Sequence, residues 1–206
     1  MKSYPSIPKK NTSEASKFWC FDKLDGSNIR VEWTKKKGFV KFGTRTRLLG
    51  SDQGILYKAE GLAKKEEEKF AETFKSMKVD KATIFFEFYG SNSFAGNHIE
   101  SDEHKISLID VDVASYGLLD PEFFVDIFGT NQAYDCAKLL YCGPIDALLI
   151  EQVKTGTLMG MTFEGIVAKA SRAKRFQEPI MLKIKNEAWI QKVKSSFDES
   201  QWETLL

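Results

Sequence analysis

The sequence predicts an α+β domain of mainly antiparallel sheets flanked by helices. Three observations lead there. Short runs alternate apolar and polar side chains, or stay apolar throughout, as strands do. Between them lie longer segments rich in helix formers, with apolar residues recurring every three or four positions. Several strand-like runs are also separated only by tight Gly-containing turns, which join antiparallel neighbours.

Taken in order, residues 1 to 16 (MKSYPSIPKKNTSEAS) read as an irregular lead-in. KFWCFDKLDGSNIRVEWTKKKGFVKFGTR then reads as a strand–turn–strand–turn–strand meander. Its turns fall at Asp25-Gly26 and Lys37-Gly38, where glycine allows positive φ. Leu62 to Met77 reads as a helix with Leu62, Phe70, Phe74 and Met77 near one face and KKEEEK on its solvated side. ATIFFEFYGS and KISLIDVDVA are apolar strands. DPEFFVDIFGTN opens on Asp-Pro, a helix start, and QAYDCAKLL and PIDALLIEQVKT read as further helical stretches. FEGIVAKA and IMLKIKN return to strand, and EAWIQKVKSSFDESQWETLL reads as one final amphipathic helix.

The totals narrow the function classes. At 206 residues the chain suits one domain with a sizeable core, here rich in phenylalanine. A net charge of +1 disfavours purely electrostatic nucleic-acid binding but leaves room for a local basic face. Cys20, Cys136 and Cys142 have no metal-type spacing, and His98 and His104 read as lone surface histidines. No apolar run approaches the roughly 18 residues of a membrane span, so a cytoplasmic protein is expected.

Four features point to chemistry. Lys23 precedes an Asp-Gly turn in CFDKLDGSNIR, as a surface lysine or as a nucleophile in a pocket. Glu87 stands alone in the apolar FFEFYG, where a buried carboxylate needs partners such as the hydroxyls of a ribose. Glu164 opens FEGIVAK, which ends on Lys169. In MLKIKN, period-2 alternation sends Lys183 and Lys185 to one face, suited to phosphate or to a solvated edge.

In this order the motifs KxDG, an Arg-bearing strand, EFxG, EGxVxK and KxK resemble those of the covalent nucleotidyltransferase superfamily of polynucleotide ligases and mRNA capping enzymes. The resemblance runs from about Phe18 to Lys194. KLDGSN, GTRTR and LKIKNEAW look most like the RNA ligase 2-like branch; DNA ligases and capping enzymes more often carry Arg where Asn28 stands. The resemblance implies a nucleotidyltransferase (ATP-grasp-like ligase) fold and an ATP-dependent RNA ligase. It implies roles too. Lys23 matches the lysine that becomes adenylylated, while Asp25 and Gly26 match the turn that shapes the nucleotide pocket. Asn28 matches an asparagine near the reacting phosphate and metal, and Arg45, with Arg47 as second candidate, matches the arginine holding nucleotide and RNA 5′-phosphate. Glu87 matches the ribose-binding glutamate, Glu164 the metal-associated acid, and Lys183 and Lys185 the triphosphate lysines. At the position where the family stacks an aromatic ring on adenine, the alignment puts Ile106.

The implied cofactors are ATP and Mg2+ or Mn2+. The implied partner is RNA with 5′-phosphate and 3′-hydroxyl ends, joined through a lysyl-AMP intermediate. Desolvation and the cations Lys183 and Lys185 are expected to favour the neutral, attacking form of Lys23. Lys169, Arg172, Lys174, Arg175, Lys183, Lys185, Lys192 and Lys194 suggest an RNA track. Residues 1–206 are expected to form a single adenylation domain, existing as a monomer, with no OB-fold or helical module after Lys185. A partner protein supplying substrate docking, a DNA ligase, a GTP-using capping-type enzyme and a non-catalytic nucleotide- or RNA-binding relative stay open.

Overall fold

The structure is a computed structural model, and it describes residues 1–9, 15–50, 54–91, 93, 99–172, 174–177 and 179–205. The strands are β1 (Phe18–Asp22), β2 (Ser27–Thr34), β3 (Gly38–Thr44), β4 (Lys81–Tyr89), β5 (Lys105–Val113), β6 (Gly117–Leu118), β7 (Leu139–Gly143), β8 (Gly165–Ala170) and β9 (Ile180–Lys185). The helices are α1 (Tyr57–Lys64), α2 (Glu67–Ser76), α3 (Pro121–Phe124), α4 (Ala147–Thr155), α5 (Glu187–Ser196) and α6 (Glu199–Leu205). Two antiparallel sheets result, in the orders β7-β1-β8-β9 (sheet A) and β3-β2-β4-β5-β6 (sheet B). The α+β class expected from sequence is the class observed.

Alternation along each strand decides what faces what. On sheet B, Ile29, Val31, Ile84, Phe86 and Phe88 point outward and pack with Phe70 and Phe74 of α2. On sheet A, Phe18, Cys20, Ile166, Ala168 and Leu182 point outward against Leu149 and Val153 of α4. The intervening residues of both sheets face each other across a cleft.

The expected three-stranded meander does not form. β2 and β3 pair as a hairpin, with Gly38 at φ +65. β1, however, pairs with β7 and β8 in the other sheet. Lys23 to Gly26 is therefore a crossing between sheets, not a hairpin turn. Gly26 does not have positive φ. Its need for glycine is space, because a Cβ there would lie 2.3 Å from the Phe88 carbonyl oxygen.

Three helical expectations change. Leu62 to Met77 is split between α1 and α2. Glu67 is not a solvated residue of KKEEEK, since its Oε1 accepts from the Phe39 N–H at 3.0 Å. QAYDCAKLL is a turn followed by extended chain. Leu108 N–H donates to Asp135 O at 2.7 Å, and Leu139 onward pairs with β1 as β7. The last helix breaks at Phe197, whose backbone is extended, so α5 and α6 are separate.

Candidate active site

Lys23 sits at the mouth of the cleft because β1 ends one residue earlier. Its N–H donates to Gly165 O at 2.9 Å, pinning the crossing to the start of β8. Its Nζ lies 2.8 Å from Glu164 Oε2, and the other carboxylate oxygen lies 3.0 Å from Lys185 Nζ. Glu164 thus bridges two cations while itself 4% exposed. Its position is fixed from both sides. Asn186 N–H donates to Glu164 O at 2.9 Å, and Gly165 allows the backbone to approach β9 where a Cβ would stand 2.1 Å from Ile184 O. Asp22 holds the loop that leads there, accepting from the Thr162 N–H at 3.0 Å and Oγ1 at 3.2 Å.

These groups open into a cavity of about 880 Å3 between the sheets. Lys23, Gly26, Asn28, Arg45, Arg47, Glu87, Glu164, Lys183 and Lys185 all line it. Glu87 lies directly across sheet B from Asn28 on β2 and Ser107 on β5. Burial pushes the Glu87 carboxyl from its ordinary 4.5 to about 8, against the pull of Lys23 and a hydrogen bond from the Gly26 N–H. Both polar atoms of the Asn28 carboxamide are buried with no hydrogen-bond partner among the described residues. Asn28 lines the cavity, and a buried amide of this kind calls for a polar partner.

Burial lowers the Lys185 pKa to about 8, with repulsion from Lys23 and Lys183 added to it and Glu164 opposing. Its ammonium rests 3.8 Å from the centre of the Trp189 ring. Burial is also the main cause that lowers Lys183, followed by Lys23 and Lys9. Lys23 goes the other way. Burial disfavours its charge, but Glu164 and then Glu87 outweigh that and hold its pKa above the ordinary value. The expected neutral amine is thus not the form this arrangement favours; the Glu164 carboxylate at 2.8 Å keeps the ammonium.

No protein-family model and no curated protein sequence matches the chain. Solved structures do, among them several forms of Naegleria gruberi RNA ligase. An arginine-to-alanine mutant with ATP and Mn superposes at TM-score 0.64 and 14% identity, over 94% of this chain and 58% of that one. A glutamate-to-alanine mutant with AMP and Mn gives 0.61 and 14%, over 93% and 58%. A lysine-to-alanine mutant with ATP and Mn gives 0.60 and 18%, over 86% and 52%. The fold is that of these RNA ligases. The chain spans little more than half the length of the ligases it matches.

Within this ligase fold three expected positions fall elsewhere. Ile106 lies on the outer face of β5, opposite Phe88 and packed on the large core, so it cannot reach the cavity. A bulge between Phe85 and Phe86 shifts the register, and Ile109 is the β5 side chain that lines the cavity. Asp25 borders an adjoining hollow of about 300 Å3 beside Lys23 rather than the main cavity. His104 stacks on Phe88 at 5.1 Å instead of standing free on the surface, and His98 lies outside the described residues.

The basic track also shrinks. Lys169 is 5% exposed, with Nζ 2.7 Å from Asp110 Oδ2, and Arg172 is tied to Asp120 at 3.0 Å. Lys183 and Lys185 face the cavity, which leaves Lys174, Arg175, Lys192 and Lys194 exposed. Sequence reasoning missed the cavity wall formed by Tyr4, Pro5, Ser6 and Ile7. The available signal was the spacing of Pro5 and Pro8, which favours extended chain.

No cluster of three or more His, Cys, Asp or Glu side chains among the described residues could hold a metal by itself. A divalent ion that keeps its waters and takes one or two protein oxygens plus substrate phosphates does fit the residues present. Glu164 and the unpartnered Asn28 carboxamide are the groups that would hold it.

Proposed function

We propose that the chain is an ATP-dependent RNA ligase working through a lysyl-AMP intermediate. The observation that carries this reading is the chain of contacts Lys23–Glu164–Lys185 at the mouth of a cavity between two sheets. The RNA ligases sharing the fold were solved with ATP, AMP and pyrophosphate.

In the first step the Lys23 amine attacks the α-phosphate of ATP, a P–N bond forms and pyrophosphate leaves. AMP then passes to an RNA 5′-phosphate, and attack by a 3′-hydroxyl releases AMP and closes the phosphodiester. Protein groups act mainly by position and charge, as phosphoryl transfer requires. Lys183 and Lys185 meet the negative phosphate oxygens, Glu87 takes the ribose hydroxyls, and Arg45 or Arg47 lies at the cavity rim for phosphate. Before attack Lys23 must shed a proton, so Glu164 must loosen its hold on it. Once Glu164 lets go, repulsion between Lys23 and the neighbouring Lys183 and Lys185 favours release of that proton to solvent. Glu164 and Asn28 would hold Mg2+ or Mn2+, whose chemistry there would be to offset the negative charge of the phosphates.

RNA as the acceptor, a monomer and a cytoplasmic location belong to the same proposal. Among the described residues no helix is long and apolar enough to cross a membrane. The reduced basic surface sets an expectation for RNA binding: with about four phosphate contacts, the slope of log affinity on log salt is roughly −3 for single strands.

The test is the intact mass of the protein after incubation with ATP and Mg2+, beside Lys23→Ala and Lys23→Arg. Covalent AMP on the wild type alone is expected, since a guanidinium stays protonated and cannot attack. An adduct from GTP but not ATP moves the reading to capping-type chemistry. No adduct from either, on protein that was not already adenylylated, leaves a nucleotide-binding relative.

A further inference from the structure

The cleft face of sheet B is largely polar, carrying Asn28, Arg30 and Glu32 on β2, Glu87 on β4, and Asp110 and Asp112 on β5, with Phe85 among them. The cavity uses only part of it. The rest is covered by the first residues of the chain. Lys2 Nζ lies 2.7 Å from Asp112, and Arg30 Nη1 donates to Lys2 O at 3.0 Å and Ser3 Oγ at 2.7 Å. Tyr4 OH donates to Asp110 Oδ2 at 3.0 Å, and its ring meets Phe85 edge-on at 5.0 Å. The segment then crosses to sheet A, where Lys183 N–H donates to Pro8 O at 2.9 Å on the outer edge of β9. It is a strap that ties one sheet to the other and walls the cavity between them.

Strand register arranges the cavity in levels. Lys23, Gly165 and Lys185 form the outer level. Phe21, Val167 and Lys183 form the next. Lys169 is the floor, bonded to Asp110 and to Ile109 O, both at 2.7 Å. Lys185 on the outer level and Lys183 on the next hold the charge that suits phosphates. Deeper in, Phe21, Val167, Ile109, Tyr4 and Ile7 offer the apolar walls that suit a flat base. The strap reaches both zones, with Tyr4 at the floor and Pro8 beside Lys183.

We propose that residues 3–8 are a specificity-determining wall of the nucleotide site, with Tyr4 and Ile7 against the base of an adenine nucleotide and Pro8 holding Lys183 toward its phosphates. The inference rests on the nucleotide-binding reading of the cavity given above. Tyr4 also acts as a positioning residue. Its hydroxyl holds Asp110, which also accepts from Lys169 and the Val111 N–H, so the strap sets the polar groups at the floor that a base edge must match.

The test is equilibrium binding of AMP, GMP and inorganic pyrophosphate to the full chain as wild type, Tyr4→Phe and Ile7→Ala, with thermal unfolding measured alongside. Each variant is expected to weaken AMP about five- to tenfold, the size of one lost hydrogen bond or one trimmed apolar contact. Pyrophosphate binding should stay within about twofold of wild type, because it meets Lys183 and Lys185 and not the walls that hold the base. The AMP-to-GMP preference should narrow in Tyr4→Phe. A merely structural role would weaken all three ligands together and leave that preference alone. Folded variants with unchanged AMP affinity, or a wild type that binds no nucleotide, overturn the proposal. Photo-crosslinking of the wild type with 8-azido-AMP needs no variant: label within residues 3–8 supports it, and label only elsewhere defeats it. Strap-dependent AMP binding without a Lys23 adduct would sink the ligase reading and keep the strap. An adduct with strap-independent AMP affinity would do the reverse.

Discussion

Glu87 is the residue whose environment departs most from what its neighbours in sequence suggest. A carboxylate on a strand of phenylalanines is expensive unless partnered, and its burial raises the pKa to about 8. Below the ordinary 4.5 the folded and unfolded chains both keep the proton. Between 4.5 and about 8 the unfolded chain has lost it while the folded one retains it, so stability falls as pH rises through this window. Glu87→Gln removes the titrating group. The variant without nucleotide is expected to melt above wild type at pH 8, with the gap closing toward pH 5. A gap that stays constant over that range would mean the carboxylate is satisfied in the folded protein. The same substitution should weaken nucleotide binding, since the ribose acceptor is weakened.

At the scale of elements, the crossing from β1 to β2 does most to build the site. It carries Lys23 across the cleft mouth, and it closes only because Gly26 can press against the Phe88 carbonyl. Gly26→Ala puts a methyl 2.3 Å from that oxygen and 3.0 Å from both the Phe88 carbonyl carbon and Tyr89 Cβ. The expected cost is about 1–3 kcal/mol, the usual range for overpacking, read as a lower denaturant midpoint. Adduct formation at Lys23 should fall further than stability does, because the shift moves the nucleophile itself. A neutral effect on both would show that β4 yields easily there. The hairpin β2–β3 is the contrasting element: its turn at Gly38 was readable, since a positive φ between two alternating runs is a local property.

Across the whole molecule, the Lys169–Asp110 pair and the strap join sheets that otherwise meet around a polar cleft. Burial raises the Asp110 pKa, and Lys169 and Tyr4 oppose it. Lys169→Met leaves that carboxylate buried with only the Tyr4 hydroxyl and the Val111 N–H as donors. The expected cost is about 3–5 kcal/mol at neutral pH, because one charge loses its partner. It should shrink as the pH is lowered, because burial raises the Asp110 pKa and a protonated carboxyl needs no cation. Urea unfolding at neutral and at lower pH checks this, and an equal cost at both would assign the loss to packing alone. Lys169 also illustrates why a basic stretch of sequence is a poor guide to surface charge. It and Arg172 are consumed by Asp110 and Asp120, acids about fifty or sixty residues away.

The sequence by itself determined the α+β class and which residues share a face within an unbulged strand. Period-2 alternation places Lys183 with Lys185 and isolates Glu87 wherever the strands go, and those are properties of a few consecutive residues. It could not show that β1 belongs to a different sheet from β2, because tight hairpins and sheet crossings share the same Asp-Gly text. It misplaced Ile106 for a related reason. One bulged residue in β5 reverses the faces beyond it, and bulges have no reliable local signature. The helical reading of QAYDCAKLL failed because backbone pairing with Leu108 and β1 outweighed its modest propensity. The ion pair that holds Lys23 protonated and the strap over the cavity were decided only by tertiary structure. Each joins residues separated by much of the chain, and charge and burial act through space rather than along the sequence.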